Sequence, residues 1–254
     1  MTVGYRPNPL RRRLAEGGIG VIALGPNSSD ICDFLGQFGF DAAFIDFEHG
    51  GYSWRELADI SRCCDLWDMG TVVRVSKLDE ALILRALDLG ATGIVVPHVI
   101  SVEDAERAAR ACRYPPQGCR GVAGNRRGYG ADNYFARANE EVQCIALIED
   151  AAALDNLDAL LAVEGIDVFQ VAPSDLAASM GYIGEPNHPE VRKAIDHALK
   201  AILKAGRVSG TLVDDANVAH FIAMGATCLS VIWPRWVSSG AEAFLDRVRS
   251  SQPE

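Results

Sequence analysis

Short apolar runs recur along the chain, each stopped by Gly, Asp or Pro and each followed by a stretch with helical spacing. They fall near 19–24 (IGVIAL), 41–47 (DAAFIDF), 71–75 (TVVRV), 93–97 (GIVVP), 143–149 (QCIALIE), 167–172 (DVFQVA), 207–212 (RVSGTL) and 227–232 (TCLSVI). They lack the apolar/polar alternation of a half-wetted strand, so both faces are expected to be covered, as in a parallel sheet. The segments between them carry helix punctuation. Ser101 with Asp104 in SVEDAERAARAC approaches a capping box, and HPEVRKAIDHALKAILKAG has proline near its start and glycine at its end. Eight strand-then-helix units in 254 residues have the length and rhythm of a (β/α)₈ TIM barrel, one domain spanning 1–254. A doubly wound sheet would want a glycine fingerprint after its first strand, and ALGPNSS is not one. Residues 113–140 stand apart as a long, polar, glycine-rich connection between the fourth and fifth strands, a kind of loop that is usually functional or mobile. Its Arg120, Arg126, Arg127, Tyr129 and Tyr134 are expected either to be solvated surface or to form a rim that orients a substrate.

In such a barrel the chemistry sits at the C-terminal ends of the strands. There the second strand runs out into Asp46, Glu48 and His49, and the third holds Arg74. The fourth reaches His98, the fifth ends at Glu149 and Asp150, and the sixth leads to Asp175. The opposite ends read as chemically plain. Each rim residue has an ordinary alternative: Glu149 and Asp175 as acids at helix N-termini, Arg74 as an ion-pair partner, His49 as a core histidine. His98 and His188 are read as ordinary, the latter as part of a helix start. Several unrelated explanations on one rim are less economical than one shared cause, since charges beside apolar strands are costly unless paired or metal-bound. Two carboxylates from neighbouring strands suit a hard divalent ion. With an arginine and a histidine nearby, the set suits enolate chemistry on a 2-oxo acid: a Lewis acid, a stabiliser of the enolate, and a proton carrier.

Composition narrows this further. A hydrophobic content of 49% supplies a core, and a net charge of −10 argues against a nucleic-acid partner. The basic triplet Arg11–Arg13 is expected to coat an exposed N-terminal helix. No run reaches a membrane-spanning length, and no signal peptide is recognisable, so the expected location is the cytoplasm. Seven scattered cysteines form no metal-ligand pattern and read as thiols of a reducing compartment.

Taken together, the stretches FIDFEHG, VVRV, ILRALDLGATGIVVPHV, RYPPQGCRG, IEDAAALDNLDALLAVEGIDVFQVAPSDLAASMG and HPEV resemble the class II metal-dependent pyruvate aldolases. This is the family of the 4-hydroxy-2-oxoheptanedioate, 5-keto-4-deoxyglucarate and 2-keto-3-deoxyrhamnonate aldolases. The resemblance covers nearly the whole chain. It implies a phosphoenolpyruvate/pyruvate-type barrel that accommodates an exchanged C-terminal helix, and a homo-oligomer (a hexamer, or trimer of dimers) in which a neighbour can complete the site. It implies that His49 is the base, acting with Asp88, and that Arg74 holds the ketone oxygen. Glu149 and Asp175 would bind Mg²⁺, Mn²⁺ or Co²⁺, with no organic cofactor. Ala172, Ser174, Leu212 and Trp233 would contact substrate alongside Arg74. Two positions depart from the family pattern: Leu147 stands where a glutamine is usual, and Ala172 where a glycine is usual. With the tryptophans of IWPRW, these changes suggest an apolar pocket for a substituted 2-oxo acid or an aromatic aldehyde.

The activity implied is reversible cleavage of 4-hydroxy-2-oxo acids to pyruvate, or another 2-oxo acid, plus an aldehyde. Lys77, the nearest lysine, reads as part of a solvated helix start and not as a Schiff base. Oxaloacetate decarboxylation, citrate-lyase-like chemistry on the same barrel, and a non-catalytic 2-oxo-acid sensor are the alternatives. The retained His49 counts against a sensor, which needs no proton carrier.

Overall fold

The computed structural model of the chain describes residues 4–251. Eight parallel strands close into a barrel in chain order: β1 (Gly20–Leu24), β2 (Ala42–Asp46), β3 (Gly70–Arg74), β4 (Gly93–Val96), β5 (Gln143–Ile148), β6 (Val168–Val171), β7 (Val208–Val213) and β8 (Cys228–Ile232). Each expected strand is present, displaced by no more than one residue at either end. The helices are α1 (Pro9–Ala15), α2 (Ser29–Gly36), α3 (Trp54–Leu66), α4 (Glu80–Asp88), α5 (Val102–Ala111), α6 (Tyr134–Glu141), α7 (Ala151–Asp155), α8 (Leu157–Leu161), α9 (Pro173–Ser179), α10 (Pro189–Lys204), α11 (Val218–Ala223) and α12 (Pro234–Ser250). The Ser101–Asp104 capping box starts α5, and Pro189 occupies the first turn of α10.

Strand alternation sorts the apolar residues into two cores. One set, including Ile22, Phe44, Val72, Val95, Ile145, Leu147 and Val168, fills the barrel interior. The other set, including Ile45, Val73, Ile94, Ile148 and Phe169, packs outward against the helices. Helix α1 closes the N-terminal end. Leu10 joins the interior cluster, and Gly20 admits it closely, because a Cβ there would lie 2.4 Å from a Leu10 methyl. Thus α1 is a stopper as well as a basic surface: Arg11 and Arg12 pair with Asp167 and Asp68, and Arg13 reaches Asp41 at 3.1 Å.

The segment 113–140 does not reach the mouth. It joins a helix to the next strand, and such connections lie at the N-terminal face of the barrel, here called the base. Arg126 and Arg127 pair with Asp65 at 2.7 and 3.3 Å, near the end of α3. Arg127 also donates to the Arg6 carbonyl at 2.6 Å. Arg120 meets Asp88 at 2.8 Å and lies over the Tyr114 ring. Tyr134 is buried against Tyr5 and Tyr114, while Tyr129 is exposed. The expectation of a substrate-orienting rim is therefore corrected, and so is that of a chemically plain base.

Helix α12 is the longest helix among the described residues with no buried residue, and Trp236, Val237, Phe244, Leu245 and Val248 are exposed, Phe244 by 60%. Among the described residues no helix is long and apolar enough to cross a membrane. All seven cysteines are free thiols, and only Cys119 is exposed.

Candidate active site

The strand parity that builds the inner core also aims charged side chains into the mouth. Arg74, the last residue of β3, is an inward position with a side chain 12% exposed. Its Nε and Nη2 donate to both Asp46 carboxylate oxygens at 2.9 and 2.6 Å, and its Nη1 lies 2.9 Å from Glu48. Asp46 also accepts the backbone N–H groups of Glu48 and His49 at 3.0 and 3.4 Å. This turn folds the FEHG stretch over the end of β2. Burial pushes the Asp46 carboxyl up, but Arg74 and the two backbone donors outweigh it and hold it below its ordinary value. Two of the five guanidinium N–H bonds donate to Asp46 and Glu48 adds an ion pair, which leaves N–H groups for a ligand.

Glu149 follows β5 and is 1% exposed. Its Oε1 accepts the backbone N–H of His98 at 2.7 Å. His98 has a left-handed backbone, φ 54°, uncommon for a residue other than glycine. Its Nδ1 lies 3.0 Å from Asp150 and 3.5 Å from Glu149. Burial raises the Glu149 carboxyl; the His98 N–H and charge lower it, and the carboxylates of Asp175 and Glu48 raise it again, for a net rise. The hydrogen bond with Asp150 leads the rise of the His98 imidazole. A lone histidine after Pro97 reads as ordinary in sequence; only the backbone turn reveals that it belongs to this cluster.

His49 and Asp88 are not brought together within one chain. His49 lies on the turn after β2, 67% exposed, with Nε2 3.9 Å from Glu48. Asp88 ends α4 at the base, paired with Arg120. Helices return antiparallel to the strands, so the two residues occupy opposite ends of the barrel. Glu48, whose part is not legible from sequence, is the carboxylate beside His49 and also approaches His98 Nε2 at 3.9 Å.

A cavity of about 120 Å³ opens inside the mouth. Arg74 and Asp175 line it, with the expected contacts Ala172, Ser174 and Leu212. Trp233 is not among its lining residues. The inward positions of β8 are Cys228, Ser230 and Ile232, so residue 233 turns away as it leads into α12. A second cavity of about 140 Å³ shares Pro173, Ser174 and Leu212 with the first and is edged by Arg192, His220 and Arg235.

The donor set fits a hard divalent cation. Glu149 is buried, carries an unfavourable charge and is repelled by Asp175 and Glu48. A cation would relieve that repulsion. Ligand atoms of His98, Glu149 and Asp150 also lie within 4.8 Å of one another, so Glu149 is common to two possible ligand sets.

The family profile described as HpcH/HpaI aldolase/citrate lyase matches residues 22–232. A hydroxypyruvate/pyruvate aldolase of Roseobacter denitrificans is 37% identical over 204 residues, covering 78% of this chain and 80% of that protein. A 4-hydroxy-2-oxovalerate aldolase of Rhodococcus jostii is 38% identical over 232 residues, with 88% and 89% covered. The crystal structure of an HpcH/HpaI aldolase/citrate lyase family protein from Burkholderia cenocepacia superposes with a TM-score of 0.89 at 30% identity, covering 95% of this chain and 99% of the other.

Proposed function

The chain belongs to the HpcH/HpaI aldolase/citrate lyase family, and from that premise we propose a divalent-metal-dependent aldolase that reversibly cleaves 4-hydroxy-2-oxo acids to a 2-oxo acid and an aldehyde. The protein is an enzyme of the lyase type. The carrying observation is the excess of carboxylates around Arg74 at the mouth: Asp46, Glu48 and Glu149 act on it, Asp175 shares its cavity, and Asp150 stands beside Glu149 and His98. Glu149 and Asp175 would hold the ion, which supplies Lewis acidity at the 2-oxo acid. Arg74 is pre-organised by Asp46 and Glu48 and offers its free N–H groups to the developing enolate oxygen. His49 carries the proton, positioned by Glu48 from its own chain.

The part assigned to Asp88 then belongs to a neighbouring copy, since its own chain places it at the base. The uncovered apolar residues of α12 favour such an assembly. We place the enzyme in the cytoplasm, consistent with its free thiols.

The test is a screen of 4-hydroxy-2-oxo acids with detection of released pyruvate, after EDTA treatment and after return of Mn²⁺ or Mg²⁺. Cleavage that vanishes with EDTA and returns with metal is the expected result. Cleavage indifferent to EDTA, or a lysine imine trapped by borohydride, overturns the reading.

A further inference from the structure

Strand β6, VFQV, sets one amide in an otherwise apolar run. Gln170 is 5% exposed and lines the mouth cavity. Its Nε2 donates to Ser230 Oγ at 3.1 Å. The bond links β6 to β8 past Gly210 of the intervening β7. Glycine keeps this path open: a Cβ at 210 would lie 2.8 Å from the Cys228 carbonyl oxygen and 3.5 Å from Gln170 Cγ. The Oε1 of Gln170 has no hydrogen-bond partner among the described residues. Leu24, Phe44 and Leu212 share the cavity with it, and Leu147 is its paired neighbour on β5. An unmatched buried acceptor is unfavourable, and an apolar side chain would fill this layer without that cost.

We propose that Gln170, steadied by Ser230, recognises a hydroxyl on C3 of the bound 2-oxo acid, so that the site selects a 3-hydroxy-2-oxo acid, the simplest being hydroxypyruvate, over pyruvate. This rests on the mouth being a 2-oxo-acid site. Carboxylate and keto oxygens only accept hydrogen bonds and belong with Arg74 and the cation. The unmatched Oε1 calls for a donor, which a hydroxyl is. With the amide turned about, its NH₂ takes the place of Oε1, the hydroxyl accepts, and Ser230 donates to the amide oxygen. A hydroxyl satisfies either arrangement; the methyl of pyruvate satisfies neither. The expectation of an apolar pocket for a substituted 2-oxo acid is thereby narrowed to a substituent that carries a hydroxyl.

The experiment measures, on the Mn²⁺-loaded protein, binding of hydroxypyruvate and of pyruvate by calorimetry, and kcat/KM for each donor with one aldehyde. Wild type is compared with Gln170→Leu, Gln170→Met and Ser230→Ala. Wild type is expected to prefer hydroxypyruvate by ~10–100-fold, the size of preference a hydrogen-bonding site can impose. Both Gln170 variants should bring the ratio close to unity, and Ser230→Ala should fall between. A wild type that prefers pyruvate, that binds neither donor, or whose ratio survives in the Gln170 variants overturns the inference. The binding ratio is read without turnover. If the ratio shifts but no 4-hydroxy-2-oxo acid is cleaved, the aldolase reading fails alone; if cleavage occurs with an insensitive ratio, only the role of Gln170 fails.

Discussion

At the base of the barrel Asp65 is shared by Arg6, Arg126 and Arg127, Asp88 meets Arg120, and Asp167 is held by Arg11 and Arg113. At the mouth, Asp46, Glu48, Glu149 and Asp175 gather near Arg74, with Asp150 and His98 at their edge. The same residue types do opposite things at the two ends. Every acid of the base network named here has its cation in the fold, so those pairs fasten the 113–140 segment and α1 in place. The mouth leaves negative charge unmatched, an arrangement unfavourable for folding and useful for capturing a metal ion.

The largest effect that separates the two ends should come from Glu149→Gln and Asp175→Asn. Activity should fall by ~10³-fold or more, as the loss of several kcal/mol of metal assistance implies. Melting of the metal-free protein should hold steady or rise, because a repelled charge is gone. A clear drop in its melting temperature would mean that the mouth acids stabilise the fold as the base acids do. Next, His49→Asn and Asp88→Asn should each lose ~10²–10⁴-fold in kcat, the range for a proton-transfer group. Refolded together, the two inactive variants should regain activity, since a copy with intact His49 can receive Asp88 from its neighbour. No recovery, with Asp88→Asn as active as wild type, would confine Asp88 to the base.

At the base, Asp65→Asn strands buried arginines and should cost about 3 kcal/mol. In a chain of this size that lowers the melting temperature by roughly 6–12 °C, with kcat unchanged when measured well below the transition. The smallest effect is expected from His98→Ala. Affinity for Mn²⁺, followed by titration, should weaken about 10-fold, the lower end for a residue supporting a ligand. A loss as large as that of Asp175→Asn would instead make His98, Glu149 and Asp150 the ligand set.

Much of this was legible from the chain alone. The strands were readable because each is a β-branched or apolar run closed by a turn former. The rim acids were readable because β2, β5 and β6 all run into carboxylates. What escaped depends on connection and parity. The segment 113–140 looked like a rim because of its arginines and tyrosines, yet a helix-to-strand connection belongs at the base of a barrel. Counting inward positions along β8 from Cys228 would have turned Trp233 away from the cavity, and the same count along β6 would have singled out Gln170. The part played by Glu48 needed the Asx turn at Asp46, and that of His98 needed a left-handed backbone; neither has a one-letter signature.

The stopper formed by Leu10 against Gly20 leaves the interior a single doorway. Whatever lodges deepest must enter first and depart last. In the condensation direction the keto acid should therefore be the leading substrate, and in cleavage it should be the trailing product. The proposed activity thus acquires a compulsory queue, visible as pyruvate inhibition that competes with the 4-hydroxy-2-oxo acid while the aldehyde inhibits noncompetitively.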